Sequence, residues 1–105
     1  MSENVTVTDA PERHRYEAQI AGDQVGVAEY ELDGSTVTFT HTVVDDSAEG
    51  KGVGSRLAKT ALDDARDKGF RVVPQCRFIA SYIARHEEYL DLVDAADRSL
   101  VDTAS

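Results

Sequence analysis

The sequence predicts an α+β domain: an antiparallel β-meander, a glycine loop, an amphipathic helix, a strand parallel to the sheet, and a second helix. Three observations predict it. Apolar and polar residues alternate with period 2 through residues 13–44, interrupted at Ala21-Gly22-Asp23 and Asp33-Gly34. The spacing becomes helical from Val53 to Lys68. Between these stretches lies Glu49-Gly50-Lys51-Gly52-Val53-Gly54, where three glycines occupy five positions.

Residues 1–12 are polar and include Asp9-Ala10-Pro11-Glu12; they read as a flexible N-terminal segment. From Arg13 to Ile20, His14, Tyr16, Ala18 and Ile20 alternate with polar residues, as in a half-buried strand. A second strand over 24–32 puts Ala28, Tyr30 and Leu32 on one face, and Asp33-Gly34 is a strong hairpin signal. In the third, over 35–44, Val37, Phe39, His41 and Val43 face one way and Thr36, Thr38, Thr40 and Thr42 the other. In the helix, Val53, Leu57, Ala61 and Ala65 stack at i, i+4 spacing, widened by Ala58 and Leu62, and Gly69 marks its end. Phe70-Arg71-Val72-Val73 is a short buried strand stopped by Pro74, and a crossover of this length makes it parallel to an earlier strand. A second helix covers 78–86 with Ile79, Tyr82 and Ile83 inward. The domain proper is expected over 13–90. Residues 91–105 form an acidic tail, expected to be partly helical and then to fray.

The 105 residues make one domain with a modest core, and 41% hydrophobic against 30% charged residues argues against global disorder. No apolar run approaches the roughly 20 residues that span a bilayer. The net charge of −9 repels nucleic acid and anionic lipid, so both are set aside as partners. The single cysteine, Cys76, excludes an intrachain disulfide framework and a cysteine-based zinc cluster, and the histidines at 14, 41 and 86 lack ligand spacing, so no metal is expected. The N-terminus has neither the basic nor the apolar part of a signal peptide, which makes the cytoplasm the expected location. A monomer or weak homodimer is expected.

A glycine-rich turn that opens a helix joins permissive backbone to unpaired amides and a positive dipole end, a cradle for phosphate or pyrophosphate. Its plain alternative is a connector. The surrounding charge supports the cradle: residues 50–62 contain Lys51, Arg56 and Lys59 but no acid, in a chain of 20 acids and 11 Lys plus Arg.

This order of elements resembles the GNAT acetyltransferase superfamily, whose pyrophosphate motif Gln/Arg-x-x-Gly-x-Gly/Ala maps onto residues 49–54. Gly52 and Gly54 match it; Glu49 departs from Gln/Arg. The chain is also similar to a subfamily of small GNAT-like proteins through three motifs: His41-Thr42-Val43-Val44, Val73-Pro74-Gln75-Cys76, and Tyr82-Ile83-Ala84-Arg85-His86-Glu87-Glu88-Tyr89. In the last, Glu87 stands where the subfamily has proline. The resemblance implies a minimal GNAT fold that binds acetyl-CoA and moves acetyl directly to an unidentified amine. It implies main-chain contacts to the pantetheine from Val43 and Val44, and amide donors to the pyrophosphate from Gly50, Lys51, Gly52, Val53, Gly54 and Ser55. Arg56 would meet phosphates, and Arg85 and His86 the phosphates or adenine; the plain alternative for this last pair is capping of the helix end.

Three side chains are candidates for the chemistry, each with a structural alternative. His41 is either a hydrogen-bonded core residue or a base. Cys76 is an inert buried thiol, a lining of the acyl pocket, or a transient acetyl acceptor. Tyr82 either packs with Ile79 and Ile83 or protonates the leaving thiolate, as the resemblance implies. No carboxylate stands out as a base; Glu29 and Glu31 are candidates by position only. The rival function is therefore a non-catalytic CoA or acyl-CoA-binding module, such as a sensor.

Overall fold

The computed structural model describes residues 4–48 and 50–104. Glu49, the departure within the glycine motif, lies outside the described residues. Five strands form one sheet in the order β1-β2-β3-β4-β5: β1 (Val5–Ala10), β2 (Arg15–Ile20), β3 (Asp23–Asp33), β4 (Thr36–Val44) and β5 (Arg71–Pro74). The first four pair antiparallel, and β5 joins β4 in parallel. Helix α1 (Val53–Lys68) supplies the crossover, and α2 (Arg77–Arg85) and α3 (Arg98–Ala104) follow β5. The mixed α+β fold is as expected, with α1 starting and ending at the residues its periodicity and flanking glycines mark.

Two regions differ from expectation. Residues 5–10, expected as part of a flexible segment, form the edge strand β1, in register with β2 from Val5↔Ile20 to Ala10↔Arg15. The C-terminal stretch packs back instead of trailing away: Val93 is fully buried, and Leu92 and Val101 nearly so. Helix α3 lies against α2.

The core sits between one sheet face and the helices. Leu57, Ala58, Ala61 and Leu62 of α1 and Ile79 and Ile83 of α2 are fully buried. Small residues let α1 approach closely: Ala18 and Ala28 are fully buried, and a Cβ on Gly26 would lie 3.0 Å from Val53 Cγ1 and 3.2 Å from Leu57 Cδ1.

A bulge divides β4. Tyr30 pairs with Phe39 but Glu29 pairs with His41, so Thr40 is an extra residue and the alternation reverses beyond it. Val37 and Phe39 point into the core as expected, whereas His41 and Val43 are exposed on the opposite face. The expectation of His41 on the apolar face is thus corrected. Thr42 and Val44, opposite Ala28 and Gly26, take the inward positions.

Candidate functional site: a strand fork beside a glycine loop

The parallel pairing of β4 and β5 ends at Phe39↔Pro74, and the Cys76 amide donates the last bond between the two segments, to Phe39 O at 2.7 Å. Beyond it β4 continues through its bulge, while the segment after β5 turns at Cys76 into α2. The carboxyl ends of two parallel strands therefore part here, the place where open sheets with crossover helices bind ligands. Thr42 Oγ1 lies 3.0 Å from Cys76 Sγ across this fork. Cys76 is buried and Thr42 half-buried. Val44 lies on the same side as Thr42; Val43, expected beside it, keeps its main chain at the fork but turns its side chain outward, 45% exposed.

The loop after β4 is fastened by its own backbone. Asp45 N–H bonds Val25 O at 2.8 Å, Ala48 N–H bonds Asp45 O at 2.9 Å, and Lys51 N–H bonds Ala48 O at 3.2 Å. The Lys51 amide, expected among the anion donors, is therefore engaged in the turn. Gly50 and Gly52 have φ of 82° and 76°, left-handed values that side chains rarely adopt, and a Cβ on either would meet nothing within 4 Å. The first helical bond runs from Arg56 N–H to Gly52 O, so the amides of Val53, Gly54 and Ser55 precede the ladder and face the helix end. The first turn of α1 carries no acid to compete with an anion. Gly54 serves packing rather than conformation: a Cβ there would meet the Phe78 ring at 2.6 Å. Phe78 of α2 thus lies across the start of α1.

An open cavity of about 680 Å³ gathers Lys51, Gly52, Ser55, Arg56, Lys59 and Tyr82. Lys59 is partly neutralised by Asp63 at 2.8 Å. Burial pushes the Tyr82 phenol above its ordinary pKa, so it stays protonated at neutral pH, and His86 stacks on its ring with centroids 4.1 Å apart. Arg85 ends α2, about 13 Å along the axis from Cys76 at its start, and is not among the residues lining this cavity.

The structure therefore brings most of the expected anion-binding residues together with Tyr82, and sets Cys76 apart at the fork with Thr42. His41 belongs to neither group. Thr42 and Phe78 were not expected. A signal for Thr42 existed in its place within His41-Thr42-Val43-Val44, but strict alternation assigned it to the wrong face. Phe78 carried no signal beyond its place in the first turn of the second helix.

A profile of the GCN5-related N-acetyltransferase family matches residues 15–92. The chain belongs to this family. No curated protein sequence matches it significantly. Among solved structures, a GCN5-like protein from Staphylococcus aureus is similar at 20% identity with a TM-score of 0.66, covering 87% of this chain and 89% of that one. A ribosomal-protein-alanine N-acetyltransferase from Brucella melitensis is similar at 13% identity with a TM-score of 0.56, covering 92% and 94%. At these identities both likenesses concern the GNAT fold.

Proposed function

We propose that this GNAT protein binds acetyl-CoA and transfers its acetyl group directly to an amine. The observation that carries the reading is the alignment of the fork with the start of α1, where Gly50 and Gly52 leave open space and the first-turn amides face it. Acetyl-CoA supplies the activated acyl group as a thioester. Val53, Gly54 and Ser55 hold the pyrophosphate through N–H groups, with Gly50 and Gly52 permitting the approach and Lys51, Arg56 and Lys59 adding positive charge. Main-chain groups of Val43 and Val44 align the pantetheine arm along β4. Thr42 and Cys76 line the end of the fork, and the Thr42 hydroxyl is a donor for charge developing on the carbonyl oxygen.

The acceptor nitrogen forms its bond to the acetyl carbon as the carbon–sulfur bond breaks, the amine loses a proton, and the thiolate gains one. Tyr82 holds a proton for the thiolate. His41 is assigned no step, because its side chain leaves the sheet on the face away from Thr42. The acidic composition and single thiol support action in the cytoplasm, as a monomer or weak homodimer, on an amine not carried by nucleic acid.

One observation favours a second reading, a CoA-binding module without catalysis: His41 is turned outward, and the hydrogen bond that joins Thr42 and Cys76 involves no imidazole or carboxylate. Thermal unfolding with acetyl-CoA, with Gly52→Trp as control, tests binding. Saturation at about 100 times Kd adds roughly 2.7 kcal/mol, several degrees for a domain this small. A shift in the wild type that is lost in Gly52→Trp is the expected result; none at millimolar acetyl-CoA defeats both readings. Release of CoA thiol across a panel of amines then separates transfer from binding alone.

A further inference from the structure

The fork between β4 and the segment after β5 has a floor. Thr42 Oγ1 and Cys76 Sγ stand 3.0 Å apart, in hydrogen-bond contact, so nothing passes between them while that contact holds. Next to it the Cys76 amide closes the two segments on Phe39 O at 2.7 Å. What lies beneath is core. Phe39 is 1% exposed, and Pro74 and Ile79, which flank Cys76 in the chain, are fully buried. An interior of this kind has no slack into which a chain of carbons could extend.

The acyl end of the donor is the part that reaches this floor. The first-turn amides of α1, the main chain of Val44 and Val43, and then Thr42 follow one another back along the sequence, which is the order of pyrophosphate, pantetheine and thioester in the donor. Thr42 is half-buried and Cys76 keeps only 7% of its surface, so the pair offers the acyl group a shallow seat. A longer group would have to part the two side chains, leaving a buried hydroxyl and thiol without partners, or press into packed core; each is unfavourable. The Cys76 side chain also makes no capping bond at the start of α2, so it is not there to hold the helix.

We propose that the Thr42–Cys76 bridge limits the donor to short acyl groups, and that Cys76 is the specificity-determining side chain, its sulfur standing where the further carbons of a butyryl group would go. The inference rests on the acetyl-CoA reading above and adds to it which thioesters are refused. The role is one of size, and no covalent bond to sulfur is involved.

Titration of the full chain with acetyl-CoA, propionyl-CoA and butyryl-CoA, followed by calorimetry and by thermal unfolding, tests it. One surplus methylene in a filled apolar site costs roughly tenfold or more, so butyryl-CoA should bind the wild type at least about tenfold more weakly than acetyl-CoA, with propionyl-CoA between them. Cys76→Ala, which removes the sulfur, should narrow that gap to roughly twofold, mainly by strengthening butyryl-CoA. Cys76→Ser, which keeps nearly the same size and the bond to Thr42, should preserve the gap. Butyryl-CoA bound by the wild type as tightly as acetyl-CoA, a gap unchanged in Cys76→Ala, or a gap lost in Cys76→Ser would each overturn the proposal and leave the acetyl-CoA reading standing. If Cys76→Ala does not fold, the wild type and Cys76→Ser decide the matter. A wild type that binds none of the three thioesters would instead defeat the acetyl-CoA reading, and this inference with it.

Discussion

Glu17 is the buried charged side chain of the described core surface, and two guanidiniums answer it. Arg13 donates through Nε at 2.9 Å and Nη2 at 3.1 Å, and Arg15 through Nε at 2.8 Å. These bonds, Arg13 first, hold the carboxyl at about 2 against the opposing effect of burial. Because the folded value lies below the ordinary 4.5, the ionised group stabilises the fold above pH 4.5, and that contribution disappears as pH falls toward 2. Glu17→Gln should therefore flatten the loss of stability between pH 4.5 and 2, measured as urea midpoints across that range. A variant that lost stability as steeply as the wild type would show that Glu17 does not govern the acid limb. Nothing in the sequence marks Glu17, since an acid in an alternating strand reads as solvent-facing; its burial depends on two arginines that fold over it. Gly52 was legible at the same scale, because a left-handed residue before a helix is a local requirement that glycine meets.

At the scale of elements, the β4 bulge decides which side chains reach the fork. Deleting Thr40 would make Tyr30↔Phe39 and Glu29↔His41 neighbouring pairs of a regular ladder, with His41 still outward and Thr42 still turned toward Cys76. The denaturant midpoint and the alkylation rate of Cys76 should therefore stay close to those of the wild type. A markedly lower midpoint or faster alkylation of Cys76 would mean that the bend of the bulge, and not only the facing of the side chains, holds Thr42 in place. The bulge was illegible because threonine occupies every other position from 36 to 42, and Thr-His is ordinary in either register. Helix α1 was legible to its ends, because its apolar stripe and its terminal glycines agree. The alternation of Val5 and Val7 with Thr6 and Thr8 also announced β1, but its polar surroundings outweighed that signal.

For the whole molecule, the C-terminal region is part of the core. Ending the chain at Leu90 would remove Leu92, Val93 and Val101, whose burial contributes about 1.5–3 kcal/mol each at full depth, against a total stability of about 5–15 kcal/mol. Such a chain should melt at least 10 °C lower or fail to fold, as read by circular dichroism; an unchanged melting temperature would restore the tail to the status of an appendage. Its acids obscured this role, because an acidic stretch near a terminus reads as solvated until its partners are known. Those partners are arginines on earlier elements: Arg66 makes two bonds to Asp91 at 2.9 Å, and Arg71 reaches Asp94 at 2.8 Å.

Arg66 and Arg71, joined by Arg98 of the tail itself, also bind main-chain carbonyls. Arg66 donates to Glu88 O, Arg71 to Asp91 O, and Arg98 to Leu90 O and Val93 O. A carbonyl is present whatever the residue, so these clasps grip the path of the chain and are blind to most of its spelling. The exposed letters of the C-terminal segment are free to drift, while a change at Arg66 or Arg71 would loosen a grip that no change of letter in the tail could replace. In an alignment, the fastening should therefore leave its record on Arg66 and Arg71 and, within the tail, on Arg98 and the buried apolar positions, and little of it on the exposed acids.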